Sequence, residues 1–260
     1  PNRVGYSGDL VSDVVYVPYD DAEAVDKAID HAGAERIAGV FVEAVIGAGG
    51  IRPVPSDYLS RVSDSIHQAG GLYISDEVIT GFGRVGDWFA ANKFGLEPDL
   101  ITFAKGVTCG YAPLGGVVAA PHIAEPFFNT PGLIFRHGYT YSGHTTACVA
   151  GLKVMEIIER EGLLERATEL EGEIYDALAP LEDLDVVDSV RRGVGALAAI
   201  QMAVGDDETL PARAATACRE AGVLTRAVGG GGLQVSPPLT MTAEQVTEMG
   251  ELFAKGLRTL

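Results

Sequence analysis

The sequence predicts an α/β fold in two parts, a larger first domain over residues 1–155 and a smaller α+β domain over 156–260. Two observations carry this. In the first half, short and nearly unbroken apolar runs alternate with a helical segment, the pattern of a largely parallel sheet covered on both faces. After about residue 150 the alternation gives way to long, charge-mixed helices and isolated strands.

"IAGVFVEAV" (37–45) is an apolar, β-branched run that reads as a strand. "SDYLSRVSDSIHQAGG" (56–71) follows with a Ser/Asp start, apolar residues at helical spacing (Leu59, Val62, Ile66) and a glycine stop, so a helix is expected. "LYISDEV" (72–78), "DLITFA" (99–104) and "LGGVVAA" (114–120) read as further strands. The stretch 145–178 reads as a long helix broken near Gly162. Beyond it the spacing predicts a strand in "GALAAIQMAV" (195–204) and a helix in "LPARAATACREAG" (210–222). Strands follow around "VLTR" (223–226) and "LQVS" (233–236), then a closing helix from Thr242.

Composition narrows the function. The chain has 260 residues and is 47% hydrophobic, enough for a substantial core. No run approaches the roughly 18 apolar residues of a membrane span. The opening "PNRVGYSGDL" lacks a basic segment followed by an apolar one, so no signal peptide is expected. A formal charge of −17 disfavours nucleic acid and anionic membrane as partners. Arginine outnumbers lysine 14 to 5, and the three cysteines (Cys109, Cys148, Cys218) are widely spaced. Such a sparse, odd set argues against disulfides and a zinc site, so no metal is expected and a reducing cytoplasm is the natural compartment.

Asp76 and Lys105 each close a predicted parallel strand, and open α/β sheets bind ligands along that edge. An acid and an amine 29 positions apart are thereby brought to one rim. Around them stand "EAVIGAGG" (43–50), "DEVITGFGRVGDWF" (76–89), "PDLITFAKGV" (98–107) and "HGYTYSGHTTAC" (137–148). Together these four motifs resemble the class III aminotransferases, pyridoxal-phosphate enzymes of fold type I, particularly the ω-amino acid:pyruvate and ω-amine branch. The resemblance extends over essentially all 260 residues.

It implies a cofactor, pyridoxal 5'-phosphate, and a role for each matching residue. Lys105 resembles the lysine that carries the cofactor covalently and then moves the substrate proton, which needs an amine whose pKa is lowered. Asp76 resembles the aspartate paired with the pyridine nitrogen, keeping the ring protonated as an electron sink. Val78, two residues on and expected on the same strand face, resembles the apolar residue packed on the ring, although core packing explains it nearly as well. Thr140 resembles the threonine that binds the phosphate across a subunit interface, with the Tyr139 N–H as a second donor. Arg226 resembles the arginine that receives substrate carboxylates, and the glycines at 229–232 would let it swing away for uncharged amines. Glu43, Arg84, His137 and His144 are expected to be structural.

The resemblance also implies a homodimer with shared sites, acting on a small amine and a keto acid such as pyruvate. Two departures matter: Ala44 stands where some relatives have proline, and Ala48 replaces the second acid of the ornithine-type branch, which favours the ω-amine type. "GHTT" also replaces the commoner "GHP". The family's phosphate-cradling glycine/serine loop and ring-stacking aromatic have no counterpart, since "SGDL" (7–10) falls downstream of both. The chain is therefore expected to be the C-terminal part of the large cofactor domain plus the small domain. An aminomutase or decarboxylase of the same fold, or a non-catalytic relic module, stays open as an alternative.

Overall fold

A computed structural model describes residues 13–55 and 57–260; the "SGDL" segment and Ser56 lie outside these. In chain order the helices are α1 (Ala22–Ala32), α2 (Tyr58–Gln68), α3 (Ala90–Lys93), α4 (Pro121–Asn129), α5 (Thr145–Arg160), α6 (Leu163–Leu178), α7 (Leu210–Ala221) and α8 (Ala243–Leu257). The strands are β1 (Gly39–Val42), β2 (Val45–Ile46), β3 (Arg52–Pro53), β4 (Leu72–Asp76), β5 (Leu100–Phe103), β6 (Gly116–Ala119), β7 (Val187–Arg192), β8 (Ala198–Met202), β9 (Ala227–Val228) and β10 (Gly232–Val235).

The described residues divide into two compact units, one of residues 13–40, 54–55 and 57–73, the other of 41–53 and 74–260. In the first, the Asp21 carboxylate caps α1 by accepting the Ala24 N–H at 3.1 Å. Helix α2 buries Leu59, Val62 and Ile66, the three residues whose spacing predicts it.

The second unit contains everything that follows. Its first sheet has the order β1-β4-β5-β6, with β1 and β4 entering the unit at Phe41 and Ile74. β4 and β5 run parallel in the register Asp76↔Thr102, as the apolar runs imply. β6 runs antiparallel to β5. The reason is the connection: residues 104–115 hold only the single turn Lys105–Val107, and a parallel return needs a crossover helix.

Helices α5 and α6 are separated where expected, at Gly162, whose left-handed backbone (φ 62) closes one helix and opens the next. Behind them lies an antiparallel sheet in the order β7-β8-β10-β9. Its core, including Leu170, Ile174, Leu178, Ile200, Leu233 and Phe253, is drawn from residues 167–257. Thr242 and Gln245 form a reciprocal capping box at the start of α8.

Strand β9 begins at Ala227, just past "VLTR"; residues 223–226 stand outside the ladder, although the Arg226 carbonyl accepts the Gln234 N–H at 3.0 Å. Helices α1, α3 and α4 and strands β3 and β7 have no counterpart among the elements expected from the sequence. No helix among the described residues is long and apolar enough to cross a membrane.

Candidate active site

Asp76 ends β4, and Lys105 stands two residues beyond β5, so the parallel pairing places both at one sheet edge. The Asp76 Oδ1 atom accepts two hydrogen bonds, from the Val78 N–H at 3.1 Å and the Thr102 hydroxyl at 3.2 Å. That fixes the carboxylate and leaves its Oδ2 for a further donor. Val78 lies past the end of β4, in a turn. Strand alternation therefore does not govern its side chain, and its tie to Asp76 is through the backbone amide.

The turn is held by Glu77, fully buried and flanking Asp76. Its carboxylate accepts from the Ser75 hydroxyl (3.1 Å), the Thr80 hydroxyl, and the Ala90 and Ala91 N–H groups (2.9 and 2.8 Å). A buried carboxylate is tolerated when its lone pairs are filled in this way. The two amides open α3, so Glu77 ties the end of β4 to the segment 76–91 and holds Asp76 in place.

Lys105 is exposed and has φ +41, a left-handed conformation that costs a non-glycine residue of order 1–3 kcal/mol. Phe82 (φ 58) and Cys109 (φ 48) share this property. The surroundings determine the turn: a Cβ on Gly106 would lie 3.0 Å from the Phe82 Cβ. The Phe82 ring in turn meets Phe89 and Phe103 edge-on at 5.4 and 5.7 Å. Strain backed by packing of this kind clusters at working sites.

Glu43, expected to be structural, belongs to the same group. Burial pushes its carboxyl above the ordinary 4.5, with the Asp76 charge adding to the rise. The Gly47 N–H, donated to Oε2 at 3.0 Å, and the Lys105 charge act the other way. Glu43 therefore lies within electrostatic reach of both rim residues. The signal was present in "EAVIGAGG", an acid directly after an apolar strand, but only the sheet order brings it beside Asp76.

Arg84 is structural as expected. Its Nη1 donates to the carbonyls of Ala196 (3.1 Å) and Pro237 (2.6 Å), while the Arg84 carbonyl accepts the Ala196 N–H at 2.9 Å. Burial lowers its guanidinium to about 10.

Tyr139 and Thr140 are not joined to this rim. They sit on an exposed loop that follows α4, with Phe135, Tyr139 and Tyr141 open to solvent at 66, 78 and 81%, as is Phe128 near the end of α4 at 86%. Phe135, His137 and Tyr139 meet edge to face at 6.0 and 5.7 Å. The Tyr139 N–H, the expected second phosphate donor, is given to the Ser142 hydroxyl at 3.0 Å. His144 caps α5, its Nδ1 accepting from Ala147 at 3.4 Å.

Arg226 is exposed, donates Nε–H to Gln234 Oε1 at 2.8 Å, and lines an open cleft of about 800 Å³ with Gln234, Ser236 and Glu248. The glycine run beside it is docked rather than loose. The Gly229 N–H is given to the Ala48 carbonyl at 2.9 Å, and a Cβ on Gly50 would fall 2.8 Å from the Gly229 oxygen. These glycines permit close approach of two backbones.

The family model described as Aminotransferase class-III matches residues 6–257. The chain belongs to that family. It is 38% identical over 240 residues to a diaminobutyrate–2-oxoglutarate transaminase of Halomonas elongata, covering 88% of this chain and 51% of that protein. It is 36% identical over 245 residues to an omega-amino acid–pyruvate aminotransferase of Pseudomonas putida, covering 92% of this chain and 54% of that protein. A transaminase from the marine bacterium Virgibacillus superposes with a TM-score of 0.86 at 35% identity, over 92% of this chain and 56% of that one. The fold is thus fold type I, and the chain spans about half the length of the relatives it matches.

The residues present fit pyridoxal 5'-phosphate. A carboxylate with one anchored and one available oxygen stands on the strand beside a lysine whose side chain forms no ion pair or hydrogen bond within the described residues. Among the described residues no three His, Cys, Asp or Glu side chains are grouped as metal ligands.

Proposed function

We propose that the protein transfers an amino group from an amine or ω-amino acid to a keto acid such as pyruvate, using pyridoxal 5'-phosphate. The observation that carries this reading is the placement of Asp76 and Lys105 at the ends of adjacent parallel strands. The substrate class follows the named activity of the Pseudomonas relative. In this reading residues 1–155 belong to the cofactor domain and 156–260 to the small domain. The self-contained core of 167–257 supports that division.

The cofactor, when bound, supplies an electron sink for the carbanion formed at the substrate carbon. The chain supplies the rest. Asp76 Oδ2 would accept the ring N–H and keep that nitrogen protonated. Lys105 Nζ would hold the cofactor and, when its amine is free, would take the proton from the substrate carbon and deliver it to the cofactor carbon. Val78 would pack against the ring. Arg226 pairs with the substrate carboxylate.

Thr140 would serve the phosphate of a neighbouring subunit in a homodimer, and the Tyr139 N–H would join it by exchanging its bond to Ser142. The exposed aromatic loop supports this, because large apolar patches mark association surfaces. Borohydride reduction of the cofactor-loaded protein followed by peptide mapping tests the reading. The label is expected on Lys105; a label on Lys27, Lys93, Lys153 or Lys255 overturns it.

A further inference from the structure

Two loops distant in sequence, residues 47–50 and 229–231, are bound together by side chains from the strands of the second sheet. Ser189 of β7 is paired with Gln201 of β8, and Arg191 lies two positions further along β7 on the same face. This diagonal places the two side chains within reach of each other. Arg191 Nη2 donates to Gln201 Oε1 at 2.8 Å, and its Nη1 donates to the Gly50 carbonyl. Gln201 Nε2 donates to the Gly230 carbonyl at 2.7 Å. The Gly229 N–H to Ala48 carbonyl bond closes the ring of contacts.

The geometry points to Arg191 and Gln201 as positioning residues for Arg226, and so as determinants of preference for carboxylated over uncharged substrates. This rests on the reading of Arg226 given above. Arg226 immediately precedes β9, a strand of two residues paired through Ala227 and Val228 with β10 alone. One end of this short segment is set by the Gln234 contacts of Arg226; the other is set by the clamped glycine turn. Releasing Gly230 and Gly50 lets β9 shift along β10 and carries the guanidinium with it. Bidentate pairing with a carboxylate is steep in geometry, so a small displacement weakens it severalfold. Proton transfer at Lys105 makes no such demand on β9.

The experiment compares Arg191→Met and Gln201→Ala in the cofactor-loaded protein, with the conservative Arg191→Lys and Gln201→Asn as better-folding counterparts. Amine and keto-acid half-reactions are followed separately by stopped flow, and propionate binding is measured by calorimetry. The expected result is a rise of about three- to tenfold in the keto-acid KM and in the propionate Kd, the loss of roughly one hydrogen bond's worth of orientation. The amine half-reaction stays within about twofold. Arg226→Ala is the reference arm. If it leaves the keto-acid KM unchanged, the substrate reading of Arg226 fails. If it raises that KM while the Arg191 and Gln201 variants do not, the positioning role is overturned. Equal losses in both half-reactions also overturn it, since they mark general destabilisation.

Discussion

The rim at Asp76 and Lys105 and the loop around Thr140 belong to one compact unit and are built on opposite principles. At the rim every reactive group is held from behind: Asp76 by Thr102 and the Val78 amide, its turn by buried Glu77, the Lys105 turn by Phe82 and its aromatic neighbours. The loop presents Phe135, His137 and Tyr139 to one another in an edge-to-face ladder and leaves them in water. Preorganised polar groups do chemistry; exposed aromatic groups wait for a surface. On the proposed reading, the contrast separates the half of the site that one chain completes alone from the half that it would lend to a second copy.

The sharpest way to break the rim's side of this comparison is Lys105→Ala. Loss of the amine removes covalent cofactor attachment and a general base, so turnover is expected to fall by at least about 10²–10⁴-fold. An absorbance and single-turnover assay checks this; residual activity near wild type contradicts the rim assignment. On the loop, Thr140→Ala is expected to weaken cofactor retention roughly ten- to a hundredfold through loss of a charge-assisted hydrogen bond. Equilibrium dialysis measures it, and the circular dichroism spectrum should not change.

Arg84→Ala tests the scaffold between β4 and the second sheet. It leaves the Ala196 and Pro237 carbonyls short of a donor, at about 1–3 kcal/mol for each one buried and unpaired. Urea unfolding is the readout.

The smallest effect expected is that of Glu43→Gln. Burial raises the Glu43 carboxyl above 4.5 in the folded chain, so the folded state retains a proton that the unfolded state gives up. Stability contributed by this group therefore falls as pH rises from the ordinary carboxylate range through the raised value. The glutamine side chain would keep an acceptor for the Gly47 amide and remove that slope. The variant should gain stability relative to wild type at about pH 8 and not at about pH 4, on either side of the raised carboxyl. Denaturant midpoints at both values measure it.

Much of this was legible in the sequence because it depends on local period and local caps. The spacing of Leu59, Val62 and Ile66 marks α2, Gly162 marks the helix break, and Thr242 marks the start of α8. The placement of Asp76 and Lys105 at one sheet edge was legible for the same reason, as polar residues closing apolar runs, while their roles rest on the family motifs around them. What was hidden depends on contacts distant in sequence. The antiparallel direction of β6 follows from the lack of a crossover helix. The docked glycine run at 229–231 needs the 47–50 loop for its meaning, and nothing local distinguishes it from a flexible hinge. Glu43 acquires its character from burial in the folded chain and, in smaller part, from Asp76, 33 positions away in sequence.

The central claim, that one chain furnishes the rim and a second copy furnishes the loop, is tested most directly by subunit mixing. Lys105→Ala and Thr140→Ala proteins are each defective alone. When they are dissociated, mixed in equal amounts and reassembled, half of the dimers should pair one of each. Each such dimer would hold one site with an intact Lys105 from one chain and an intact Thr140 from the other. Recovery of about a quarter of wild-type cofactor-retaining, active sites is the predicted result, the fraction random pairing in a two-fold dimer gives. No recovery in a mixture shown to contain mixed dimers would mean that Lys105 and Thr140 serve the same chain's site, and the division between rim and loop would be wrong.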